Sequence, residues 1–106
     1  MTPEDLVVLF KAEKESLLDT YFSAEAKTAV AARIEELNLL PEQQSHMREV
    51  LNTVLTDAFY TILLGLDGCA QICGKQIEYR LADENGNQLT GSGDIEAHAW
   101  EMFHGE

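Results

Sequence analysis

Two carboxylates border the most apolar stretch of the chain, Asp57 just before it and Asp67 just after it. A carboxylic acid held in such a segment can have its pKa raised and serve as a general acid or base. Neither residue has a visible catalytic partner in the sequence. Asp67 precedes Gly68, a pair suited to ending a helix, with glycine in the left-handed conformation and the carboxylate bonded to nearby backbone. Asp57 is placed to pair with Arg48, Arg33 or Arg80 across the fold. Cys69 and Cys73 have three residues between them, not the two of a redox or zinc-knuckle motif. On a strand their Cα atoms stand about 13 Å apart, beyond the roughly 7 Å that a disulfide spans, so two reduced thiols on a half-exposed face are expected.

Asp83, Asn85 and Asn87 mimic the first three ligand positions of a calcium loop, with Asp94 at the twelfth. The sixth position is Gln88, where the sharp loop turn needs glycine, and Asn85-Gly86 is explained as a turn. His46, His98 and His104 are too scattered to name a metal site, although His98 and Glu101 are three apart and can share a helical face. There is no glycine-rich phosphate loop and no nucleophile elbow around a serine. The sequence therefore names no catalytic residue, no metal ligand and no cofactor, and it leaves enzymatic activity open with a non-catalytic role preferred.

The elements that would position these residues read as a single α+β domain over residues 1–106: three N-terminal helices, a three-stranded antiparallel β-meander and a short C-terminal helix. Thr2-Pro3-Glu4-Asp5 starts helix one, which runs to about Tyr21. Its stripe of Leu6, Leu9, Phe10, Leu17 and Tyr21 is interrupted by Glu13 and Lys14, which predicts shallow packing. Ser23 caps a second helix to about Asn38 with Ala26, Val30, Ile34 and Leu37 on one face. Helix three spans about Pro41 to Leu66 and is apolar nearly all round from Ala58 to Leu66, which predicts a spine covered on every side. That run is too short for a bilayer span and reads as core.

The meander extends from about Cys69 to Thr90. Gly74-Lys75 suits a two-residue II′ hairpin that pairs Ile72 with Ile77 and Ala70 with Tyr79. A three-residue loop ending in a left-handed Gly86 pairs Leu81 with Leu89. Ala70, Ile72, Ile77, Tyr79, Leu81 and Leu89 then share one face, while Gln71, Cys73, Glu78 and Arg80 lie on a polar face that can meet water or a partner. Gly91-Ser92-Gly93-Asp94 is a joint with a cap at Ser92 or Asp94. A final helix follows to about His104, with Ile95, Ala99, Met102 and Phe103 inward and Trp100 at its edge.

Charge is the most unusual property: 19 acidic residues against 7 basic ones give a formal net of -12. No Lys or Arg follows Arg80, whereas Asp83, Glu84, Asp94, Glu96, Glu101 and Glu106 do. Such a field repels nucleic acid and anionic membranes and speeds encounter with basic proteins. The start of the chain lacks the basic and apolar regions of a signal peptide, so a cytoplasmic setting is expected. The run Phe59-Tyr60-Thr61-Ile62-Leu63-Leu64-Gly65-Leu66-Asp67-Gly68, with a hairpin after it and the helix end Trp100-Glu101-Met102-Phe103-His104, resembles small acidic bacterial proteins, some of them immunity proteins of polymorphic toxin systems. That resemblance implies a protein that binds and neutralises a partner. The leading expectation is a protein-binding module in which an acidic patch of Asp83, Glu84, Asp94, Glu96 and Glu101 meets a basic protein. A small hydrolase or ligand-binding domain using Asp57 or Asp67 is the alternative, and so is a structural homodimer formed through the meander edge or helix one.

Overall fold

The structure is a computed structural model that describes residues 1–25 and 27–105, so Ala26 of the expected second helix and Glu106 lie outside the described residues. Helix α1 spans Pro3–Tyr21. Its start is a reciprocal box: the Thr2 hydroxyl accepts the Asp5 N–H at 3.1 Å and the Asp5 carboxylate accepts the Thr2 N–H at 2.9 Å. Helix α2 is shorter than the sequence suggests, Ala29–Glu36, because Thr28 caps it and Ser23 instead closes a turn with the Glu25 N–H. Helix α3 spans Pro41–Leu66, and the Gln43 side chain returns to accept the Leu40 N–H at 2.8 Å. It ends as expected: Gly68 has φ 78°, the Cys69 N–H donates to the Leu64 carbonyl at 3.0 Å, and the Gly68 N–H donates to the Gly65 carbonyl at 3.2 Å. Helix α4, Asp94–Ala99, continues into a π-helical turn over Trp100–His104.

The α+β expectation is overturned, because the described residues contain no β-strand and no sheet. Two isolated antiparallel bridges, Ile72 with Lys75 and Ala82 with Gln88, stand where the meander was expected. At the second turn the hydrogen bonds Asp83 N–H to Asn87 carbonyl (3.1 Å) and Leu89 N–H to Leu81 carbonyl (2.7 Å) do form around a left-handed Gly86. At the first, Ile72 and Lys75 exchange both hydrogen bonds at 3.0 Å, so the central pair is Cys73-Gly74 and not Gly74-Lys75. Both residues have positive φ, 47° and 77°, the geometry of a type I′ turn.

Two contacts explain why no ladder grows from these turns. Ile72 lies so close to Gly65 of α3 that a Cβ added there would stand 2.6 Å from Ile72 Cδ1, so the chain folds onto the helix end and does not run outward. The buried Thr90 hydroxyl takes the place of a neighbouring strand, accepting the Leu81 N–H at 3.0 Å and donating to the Tyr79 carbonyl at 2.7 Å. Without a sheet there is no polar sheet face: Gln71, Cys73, Glu78 and Arg80 are exposed positions on an irregular segment.

The core joins α1, the last turns of α3 and the C-terminal helix through Val7, Leu63, Ile95, Ala99 and Phe103. Phe10 and Phe59 meet edge to face beside it, with centroids 5.9 Å apart. Asp19 with Arg48, Lys14 with Thr56, and Phe10 with Phe59 show that α1 and α3 run antiparallel. Contrary to expectation α1 packs deeply, with Val7, Lys14 and Leu18 buried while Leu9 is exposed. The inward line is turned one position from the expected stripe. The covered spine is likewise not found: within Ala58–Leu66 only Leu63 and Gly65 are buried, and Ala58 and Ile62 are exposed.

Candidate functional site

On the C-terminal helix, Ile95, Ala99 and Phe103 point into the core at four-residue spacing. Glu96, Trp100 and His104 follow them one position round the helix and therefore flank that buried line. The turn that carries the last two is wound with an i+5 bond, the Gly105 N–H donating to the Trp100 carbonyl at 2.7 Å. Such π-turns recur at functional sites. Tyr60 of α3 stands across from them. Its ring meets Trp100 at 6.2 Å and His104 at 4.4 Å, both edge to face, while Trp100 and His104 lie 5.4 Å apart. Aromatic contacts of this kind contribute about 0.5–1.5 kcal/mol each beyond buried area. They hold Trp100 in place while leaving it 59% exposed.

The polar groups around this cluster are poorly equipped for covalent chemistry. Glu96 beside Cys69, together with burial and Asp67, pushes the Cys69 thiol up to about 12, so it stays protonated at neutral pH. Burial, with Glu96 and Cys69 nearby, also raises the Tyr60 phenol. A thiol that keeps its proton is a poor nucleophile and a poor metal ligand, and both cysteines are free.

Asp67 is buried, and its two oxygens are committed to backbone: Oδ1 accepts the Gly91 N–H at 2.8 Å and Oδ2 the Glu96 N–H at 3.1 Å. Glu96 is the third residue of α4, and Gly93 at the cap position has no side chain to offer. Asp67 therefore caps α4 from a distant point in the chain. Asp57 is exposed on α3, and neither aspartate lines the three cavities described below. The expected pairing of Asp57 with Arg48 is absent, because Arg48 bonds Asp19 at 2.5 Å.

The expected acidic patch is split between two elements. Asp94, Glu96 and Glu101 lie on the C-terminal helix that carries Trp100, whereas Asp83 and Glu84 sit in the turn that meets the chain start. The Asp83 carboxylate accepts the Met1 amine at 2.8 Å, the Asn85 and Asn87 backbone N–H groups at 2.9 Å each, and Asn87 Nδ2 at 2.8 Å. These donors hold Asp83 well below the usual carboxylate range and raise the amine, and they account for the spacing that imitates a calcium loop. Among the described residues no group of three or more His, Cys, Asp or Glu side chains could hold a metal ion.

A groove of about 670 Å³ between α1 and α3 gathers Lys11, Lys14 and Arg48 with Glu15, Asp19 and Asn52. Lys14 is only 4% exposed, donates to the Thr56 hydroxyl at 3.1 Å, and lies with Lys11 over the Phe103 ring at 5.7 and 5.5 Å. Lys11 pairs with Glu15 within α1 at 3.8 Å, while Arg48 with Asp19 and Lys14 with Thr56 tie the two helices together. The other two cavities, of about 410 and 420 Å³, lie between α1 and α2 and on the outer surface of α3. Sequence reasoning missed both the burial of Lys14 and the Tyr60–Trp100–His104 cluster. The cluster left a signal in the four-residue spacing of Glu96, Trp100 and His104; Lys14 left none.

Comparison of the chain with protein-family models, with curated proteins and with solved structures finds no match.

Proposed function

We propose that this chain is a non-catalytic protein-binding module that captures a basic partner through the surface around Trp100. The observation that carries the proposal is an exposed tryptophan, held edge to face by Tyr60 on a helix that also exposes Asp94, Glu96 and Glu101. Interfaces concentrate their binding energy in such aromatic anchors, and surrounding charge sets the encounter rate and the choice of partner. The net charge of -12 favours a basic partner of the kind an immunity-like protein neutralises. The two free thiols agree with a cytoplasmic setting.

Trp100 is the sole tryptophan, so its fluorescence reports on the site directly. A partner recovered on immobilised wild-type chain should shift the Trp100 emission to the blue on titration and bind more weakly as salt rises. Trp100→Ala should weaken its capture by about a hundredfold, or about 2.7 kcal/mol. Recovery of the same partner by Trp100→Ala and by Glu96→Gln/Glu101→Gln at undiminished yield would refute the proposal.

A further inference from the structure

The chain exposes too much surface for its mass. Its accessible area is 7261 Å², whereas a folded monomer of 11.8 kDa presents about 5,900 Å². Its radius of gyration is 16.2 Å against about 13 Å for a compact chain of this length. The excess, roughly 1,400 Å², exceeds the approximately 800 Å² that each partner contributes to a stable protein–protein interface. Part of the exposed apolar surface forms one line on α3. Val50, Val54, Ala58 and Ile62 recur every four residues along its outer side, with Val50 at 57%, Val54 at 54% and Ile62 at 47% exposed. At 1.5 Å per residue the stripe is about 18 Å long. His46, Glu49, Val50, Thr53 and Val54 line a shallow depression at its N-terminal end.

We infer that a second copy of this chain covers the stripe, the two α3 helices packing antiparallel about a twofold axis at Val54. The spacing is self-complementary in the way a twofold interface demands. With Val54 on the axis, Val50 meets Ala58 of the partner subunit, a large residue against a small one, and Ile62 meets His46 of the partner subunit. Asp57 and Glu49 are each offset along the axis from their own symmetry copies, by about 9 and 15 Å at 1.5 Å per residue. Asp57 falls only about 3 Å along the axis from Glu49 of the partner subunit, a like-charge pair that weakens the association at low salt. The long apolar helix also meets the length and composition test for crossing a membrane, with 11% of its most apolar window buried. A second copy is the better occupant, because Asp57 falls in the middle of the exposed side and the net charge of -12 opposes anionic lipid surfaces. The dimer is independent of the partner site, since Tyr60 lies about 200° round α3 from Ile62 at 3.6 residues per turn.

Sedimentation equilibrium of the full chain, from low micromolar to hundreds of micromolar, should give twice the 11.8 kDa chain mass at the upper end. Added salt should tighten the association by screening the net charge. Val54→Asp should raise the dimer dissociation constant at least about a hundredfold by placing two carboxylates at the axis, with unchanged helical circular dichroism because Val54 is exposed in the single chain. In a Cys69→Ser/Cys73→Ser background, Val54→Cys should form an interchain disulfide under mild oxidation and Val50→Cys should not. A wild-type mass that stays monomeric overturns the proposal, as does a Val54→Asp chain that remains dimeric. A monomer that co-sediments with phosphatidylcholine vesicles would assign the stripe to lipid instead. Trp100→Ala should leave the dimer intact, so failure of the basic-partner site and failure of the dimer are separately visible.

Discussion

Helices α1 and α3 lie against each other and depart from the usual link between apolarity and burial in opposite directions. In α1 a lysine, Lys14, is 4% exposed, whereas α3 leaves Val50 57% and Val54 54% exposed. The difference follows from what stands on each side. α1 is flanked by α3 and by the C-terminal helix, so any residue in the middle of its inward face is covered, and Lys14 snorkels along Phe103 to reach Thr56. α3 is covered along its inner side and, near its end, by the C-terminal helix and the segment that folds back through Ile72. Composition sets how much surface a helix needs to bury. Neighbours decide which residues are buried.

The sharpest way to break this comparison is a pair of truncations one residue apart. Leu63→Ala removes a fully buried side chain from the core and should cost about 3 kcal/mol. Ile62→Ala, on the exposed side, should change monomer stability by no more than about 0.5 kcal/mol. Urea unfolding of dilute protein measures both, and equal costs would show that α3 is buried on both sides. The next largest effect belongs to Asp67, which carries the end of α3 into the structure of α4. Asp67→Ala leaves the Gly91 and Glu96 N–H groups without their acceptor and should cost about 2 kcal/mol. Hydrogen exchange at Glu96 should speed up, and the Trp100 emission should shift to the red as α4 frays. Retained protection at Glu96 would mean that Asp67 does not cap the helix.

Most local signals in this chain were legible and the tertiary ones were not. The local exceptions are the helix cap, which sits at Thr28 and not Ser23, and the first turn, which centres on Cys73-Gly74 and not Gly74-Lys75. The Thr2 cap with Pro3 after it, the left-handed Gly68 and the Gly86 turn each depend on residues within a few positions of one another, and the structure contains all three. The sheet failed because its competitors were distant. Thr90 takes the hydrogen bonds of Tyr79 and Leu81, and Ile72 prefers Gly65 of α3 to a strand partner, neither of which is written in the alternation of residues 69–90. At the candidate site, Asp94, Glu96 and Glu101 were readable as an acidic helix end. Tyr60 was not, because its part depends on how α3 and the C-terminal helix meet. Asp83 was readable as an acid but not as one already held by the Met1 amine and the Asn87 side chain.

The smallest expected effect tests the α1 half of the comparison. Burial lowers the Lys14 pKa below its ordinary 10.5, with Lys11 adding to the shift. Between the folded value and 10.5 the unfolded chain binds more protons than the folded one, so this residue makes stability rise with pH there. Its cost to folding is fully present at neutral pH and is relieved as the ammonium loses its proton in the folded state. Lys14→Met keeps an apolar stem over Phe103 and removes the charge, so it should stabilise the chain by about 1 kcal/mol at neutral pH. The advantage over wild type should shrink on the way to pH 10.5, because deprotonation gives the lysine the same relief. Chemical denaturation of both chains across that range gives the difference directly. A difference that stays constant with pH would mean that the ammonium of Lys14 is solvated in the folded chain, and that α1, like α3, keeps its charges in water.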